Sequence, residues 1–255
     1  MSDAPGIDAR RFIGVDGCPA GWIAAVWAGD DAPPRLTLFQ SFKALIAAEL
    51  DAATVLAVDI PIGLPDTIGT GGRGCDVAAR KVLGARQSAV FAVPSRAAVF
   101  SDGYAQACAA AFATSDPPRK ISKQCFYLFP KIREVDEALQ ALPAAARAQI
   151  IEAHPEVGFW SLNNRQALDL PKKVKSRPFP DGLDLRRRLL TATGMTLPAA
   201  AHPPAPGTKP CWPRSKVGED DILDALVNVT TAQRYAQGAA TIFAGDPAHD
   251  AAGLP

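Results

Sequence analysis

The chain has 255 residues, 48% of them hydrophobic and 21% charged, with 27 basic against 26 acidic side chains. That balance excludes a disordered or fibrous protein, and the length suffices to bury about 70–75% of the unfolded surface without a disulfide staple. The five cysteines (Cys18, Cys75, Cys108, Cys125 and Cys211) form no C-x-x-C pair, no apolar run is membrane-spanning and no signal-peptide core is present, so a cytoplasmic, membrane-free protein is expected.

In chain order, residues 11–16 and 22–28 are short apolar runs around the turn GCPAG, as in a hairpin, and the alternating RLTLF of 35–39 predicts a third strand. Ser41 is placed to cap a helix whose apolar positions Leu45, Ile46, Ala48 and Leu50 recur at helical spacing. TVLAVD, residues 54–59, predicts a buried strand that stops at Asp59 ahead of Pro61.

Residues 61–148 are too long for one crossover helix. They carry an excess of basic residues and helical patterns at 75–86, 104–114 and 123–139, and so predict a helical insertion or cap after the fourth strand. A short strand ending at Glu152, a helix over Leu183–Thr193, a proline-rich loop at 197–213 and a strong helix from Glu219 follow. The expected organisation is one domain over residues 1–245, with the insertion at about 61–148 and a flexible tail over 246–255.

The acids stand at the ends of buried elements. Asp16 and Asp59 each terminate an apolar run, and if those strands are parallel neighbours their carboxylates emerge side by side. Asp221 and Asp224 lie three apart on the last helix, beside a stripe of small residues (Ala225, Asn228, Ala232, Ala236 and Ala239) that would let the helix approach a sheet closely. Four converging carboxylates make a hard, oxygen-only site suited to Mg2+ or Mn2+. Turn formation at Asp16 and Asp59, and macrodipole compensation at Asp220 and Asp221, are the plainer accounts of the same residues.

The strand order with acids on the first strand, fourth strand and last helix looks like the ribonuclease H-like fold: an α/β mixed sheet, three antiparallel strands then parallel strands, flanked by helices. DILDAL is similar to the last-helix pattern of Holliday-junction resolvases. GVDGCPAGW, AVDIPIGLP, GRGCDVAARKVLGAR with SAVFAVPSR, LFPKIREVD, EAHPEVGFW and EDDILDAL together resemble the predicted-nuclease family catalogued as domain of unknown function 429. The resemblance implies a metal-dependent phosphodiester hydrolase, a nuclease acting on nucleic acid or another phosphodiester, with Asp16, Asp59, Asp221 and Asp224 as ligands of Mg2+ or Mn2+. Glu152 is a further ligand or general base, Glu156 a supporting acid, and His154 either a proton donor to the leaving group or a structural residue. The long insertion departs from the resolvase pattern.

Arg73, Arg80, Lys81, Arg86, Arg96, Lys131 and Arg133 of the insertion are candidate phosphate contacts, against an opposing reading as salt-bridged helix faces using Asp76, Glu134 and Asp136. A second basic run holds Lys172, Lys173, Lys175, Arg177, Arg186, Arg187 and Arg188, either a phosphate footprint or a solvated helix face. Two other classes compete. One is a non-catalytic nucleic-acid or nucleotide-binding regulatory module of the same fold. The other is an ATP-using sugar-kinase or actin-like enzyme, disfavoured because the glycines of the later half are scattered singly. A haloacid-dehalogenase reading fails because Cys18, not an aspartate, stands two positions after Asp16.

Overall fold

The computed structural model describes residues 2–3, 11–205, 207–243, 250 and 252–254. The chain divides into two compact units: a sheet unit of Asp3–Asp59 and Ala144–Thr241, and a helical unit of Ile60–Pro143 with the two chain ends. Among the described residues no helix is long and apolar enough to cross a membrane, and all five cysteines are free thiols.

The sheet unit opens with three antiparallel strands, β1 (Arg11–Cys18), β2 (Gly21–Trp27) and β3 (Arg35–Phe39). Helix α1 (Phe42–Glu49) follows, its first turn closed by the Ser41 side chain accepting from the Ala44 N–H. Strand β4 (Thr54–Val58) then lies parallel to β1, with Val15 opposite Val58, giving a five-stranded mixed sheet in the order β3-β2-β1-β4-β5 once β5 (Ile150–Glu152) is added. Helices cover both faces, so β1 and β4 read as continuous apolar runs: Ile13, Val15, Val55, Leu56, Ala57 and Val58 are all fully buried. On one face Trp22 meets Phe42 of α1, ring centroids 5.3 Å apart.

The helical unit contains α2 (Gly74–Leu83), α3 (Arg96–Val99), α4 (Tyr104–Ala113) and α5 (Lys123–Ala141). Its boundary falls at Pro143, five residues before the expected end of the insertion, because α6 (Ala144–Arg147) belongs to the sheet unit. Its core includes Leu83, Val99, Phe129, Ile132 and Leu139. The expected tail is in part fixed to it. The Asp250 carboxylate accepts from the Leu64 and Leu254 N–H groups (2.8 and 2.9 Å) and from Arg96 (2.6 Å), and Leu254 is fully buried. Positions 246–249, 251 and 255 of that expected tail lie outside the described residues.

After β5 the sheet unit continues with α7 (Pro155–Leu162), a two-residue hairpin of β6 (Lys173–Val174) and β7 (Arg177–Pro178), then α8 (Pro180–Thr191) and α9 (Glu219–Ala236). The hairpin turn at Lys175 and Ser176 has φ of 49° and 62°, the left-handed pair that matches strand twist. Helix α8 begins three residues earlier than its apolar spacing predicts, since a proline is favoured at the first helical position, where no N–H is needed. Helix α9 is the second face of the sheet, with Leu223, Ala225, Leu226, Val227, Val229 and Ala232 fully buried. Each fully buried Leu or Val contributes roughly 1.5–3 kcal/mol, so this helix anchors the unit.

Candidate functional site

The close approach of α9 to β1 positions the site. At Gly14 a Cβ would stand 2.0 Å from the Ala225 carbonyl oxygen, so only glycine lets the helix backbone rest on the strand. One turn on, the Asn228 side-chain amide donates to the Val15 carbonyl at 3.0 Å, and that carbonyl also accepts from the Asp59 N–H at 3.0 Å. The end of β1, the end of β4 and the first turns of α9 therefore meet at one edge.

Three carboxyl groups meet there. Asp16 is 7% and Asp224 2% exposed, and the Asp16 and Asp59 carboxyls hydrogen-bond each other. Burial, reinforced by the charges of Asp224 and Asp59, pushes the Asp16 pKa well above the usual carboxylate range. Burial also raises Asp59, against the lowering pull of His154, Lys172 and the hydrogen bond from Asp16. Asp224 is pushed up to about 6 by burial despite its contact with Lys172. The pattern is that of acids crowded together with too little positive charge.

Asp221 is raised as well, by burial and by Asp220, but its Oδ2 accepts from the Gly218 N–H at 2.8 Å and closes the start of α9. The helix-start account of this residue thus holds alongside its nearness to the cluster. Asp220, 3% exposed, pairs with Lys173 at 2.5 Å.

The positive partner of the cluster is Lys172, whose Nζ donates to Asp224 Oδ2. Burial alone would lower its pKa, but the carboxylates of Asp224 and Asp16 outweigh it and hold the ammonium charged. Asp224 Oδ1 and Asn228 Oδ1 are buried with no hydrogen-bond partner among the described residues. No group of three or more His, Cys, Asp or Glu side chains among the described residues is arranged to hold a metal ion.

The remaining expected residues separate. Glu152 is exposed and lies in register with Val58, so by the two-residue period of a strand it belongs to the face opposite Asp59. It is not brought to the cluster. His154 precedes α7 as its N-cap and stands close enough to Asp59 to pull its pKa down. Glu156 is buried against Arg186 at 2.5 Å, and Arg186, fully buried, stacks over Phe159 at 5.3 Å from the ring centroid.

Arg186 and Arg187 are thus removed from any surface footprint: Arg187 binds Asp184, Glu219 and the Ala201 carbonyl. In the helical unit Arg73 binds Asp76 and the Ile62 carbonyl, and Arg80 the Val90 and Gly71 carbonyls. Arg96 binds Asp136 and Asp250, and Arg133 the Val99 and Ser101 carbonyls. For Arg73 and Arg96 the salt-bridged reading describes the observed contacts, whereas Arg80 and Arg133 are held by backbone carbonyls, partners that the sequence did not suggest. Lys81 is exposed, and Arg86 and Lys131 are half-buried.

Lys172 is the residue that sequence reasoning missed as part of the site. It stood in a basic run, but its partner is 52 positions away on α9, and no local pattern reports that pairing.

Fold and site together define an α/β protein whose mixed sheet and last helix bury a group of aspartates around one lysine. The chain belongs to the family described as protein of unknown function (DUF429), whose model matches residues 14–249. No curated protein and no solved structure matches it.

Proposed function

We propose that the protein is a metal-dependent phosphodiester hydrolase of ribonuclease H-like fold, a nuclease working in the cytoplasm on nucleic acid. The sheet order β3-β2-β1-β4-β5, with three antiparallel strands followed by parallel ones, supports the fold reading. One observation carries the function: Asp16, Asp59 and Asp224 are gathered from two strand ends and a helix, with one Asp224 oxygen buried and unpartnered. Burying several acids together is costly unless a cation is meant to join them.

The donors fit a hard divalent ion, since all are oxygens, and Asp16, Asp59, Asp221 and Asp224 are the residues that would hold Mg2+ or Mn2+. Such an ion would lower the pKa of a bound water and offset charge on the phosphate. The chain's own groups supply the rest. His154, beside Asp59, is placed to hold a proton for a leaving oxygen. In the metal-free site Lys172 offsets part of the carboxylate charge.

The test is calorimetric titration of Mn2+ into chelator-treated protein and into Asp16→Asn and Asp224→Asn, together with Mn2+-dependent cleavage of labelled single-stranded and duplex oligonucleotides. Binding in the wild type that is lost in both variants, with cleavage, is expected; absence of Mn2+ binding at millimolar concentration both in wild type and in a protein lacking the Lys172 charge sinks the reading. A second reading, a non-catalytic nucleic-acid-binding module of the same fold, is favoured by the lack of a ready three-ligand grouping among the described residues. It predicts oligonucleotide binding unaffected by chelator.

A further inference from the structure

We propose that Lys172 is a tethered counter-ion of the carboxylate group, an inhibitory cation that a divalent metal ion must displace from Asp224 before the site is complete. This rests on the metal-dependent reading above and adds a regulation of that same site.

The first support is occupancy. Lys172 Nζ takes Asp224 Oδ2, and its charge also acts on Asp16 and Asp59, so one ammonium serves three of the acids that would hold a metal ion. The second support is incomplete satisfaction. A lysine contact uses one oxygen of Asp224 and leaves Asp224 Oδ1 and Asn228 Oδ1, one helical turn apart, buried and unpartnered. Those are spare hard ligands, and an ammonium on the other oxygen does not use them.

The third support is how Lys172 is held. The backbone on either side is fixed: the Leu170 carbonyl accepts from buried Arg186 at 3.1 Å, and the Lys172 carbonyl from the Phe179 N–H at 3.0 Å. Gly182 leaves no room beside the Pro171 carbonyl, where a Cβ would stand 1.8 Å away. Lys173 fastens the same segment to Asp220 on α9. The Lys172 side chain itself is 30% exposed. Its flexible four-carbon stem can therefore carry the ammonium outward by rotamer change with the backbone in place.

The experiment uses full-length, chelator-treated wild type, Lys172→Met and Lys173→Met, titrated with MnCl2 by calorimetry and melted with and without Mn2+. Lys172→Met is expected to bind Mn2+ at least tenfold more tightly than wild type, and Lys173→Met within threefold of it. Without metal, Lys172→Met should melt below wild type, and saturating Mn2+ should close that gap because the ion restores the missing charge. If Lys172→Met does not fold, Lys172→Gln removes the charge while keeping a donor for Asp224 and should show the same tightening. Binding in wild type that is unchanged or weakened in the Lys172 variants overturns the inference and leaves the metal site standing. Binding seen only in the Lys172 variants supports it. No binding in any protein at millimolar Mn2+ overturns both the metal reading and the inference.

Discussion

Asp224 is the residue at which burial, charge and helix geometry compete most directly. Its pKa is raised from 3.8 to about 6, first by burial and then by neighbouring carboxylates that Lys172 does not fully offset. A raised acid favours the folded state while it is protonated. Its contribution is fully present below about pH 4 and is lost as pH rises through about 6. Chelator-treated wild type is therefore expected to lose thermal stability from pH 4 to 7 relative to Asp224→Asn, whose melting curve should vary less over that range. Thermal melts of both proteins at half-unit intervals check this; parallel curves would mean that Asp224 is an ordinary carboxylate. Asp16 and Asp59 stood out as candidates in the sequence because each ends an apolar run, and Asp221 and Asp224 because they lie three apart on the last helix. Lys172 was not, since a lysine in a basic run gives no sign that it turns toward an acid on a helix 52 positions later.

Between elements, the sequence was informative where periodicity and turn chemistry act locally and silent where a contact depends on the tertiary fold. The three-strand meander, α1 with its Ser41 cap and the parallel strand β4 follow from patterning, and the observed sheet has that order. The Lys173–Pro178 hairpin was hidden, because its left-handed turn uses Lys175 and Ser176 where glycine or asparagine is the usual signal. The docking of α9 on β1 depends on Gly14. Gly14→Ala should destabilise the sheet unit by about 3 kcal/mol, the upper end of overpacking costs, because the obstructing atoms are backbone and cannot rotate away. Chemical denaturation measures it, and a cost below about 1 kcal/mol would show that the helix can slide. The Glu156–Arg186 pair links α7 to α8 in the same way. Arg186→Met leaves a buried carboxylate without its partner and should cost about 3–5 kcal/mol. Adding Glu156→Gln should recover much of that loss, an outcome that a purely packing role for Arg186 would not give.

Across the whole molecule, the near-neutral net charge conceals how the basic residues are used. From sequence, the insertion's cations are equally suited to phosphates or to salt bridges, because a helix position shows which side chains are near in sequence but not which carbonyl or carboxylate another loop brings. In the helical unit, Arg96 ties together Asp136 and Asp250, each 3% exposed, while Lys81 is exposed to solvent on α2. These two residues therefore make opposite predictions. Arg96→Ala strands two buried carboxylates and should lower the stability of the helical unit by about 3 kcal/mol or more, seen as faster amide exchange across residues 60–143. Lys81→Ala should change stability by no more than about 0.5 kcal/mol, as expected of an exposed side chain. If α2 faces a polyanion, its effect should appear instead as weaker oligonucleotide binding at low salt, with a shallower dependence on salt concentration because one fewer counterion is released. A stable Lys81→Ala protein with an unchanged salt slope would remove α2 from the nucleic-acid surface. Any polyanion contact in this unit would then fall to other cations, such as the exposed Lys120 and Lys123 before and at the start of α5.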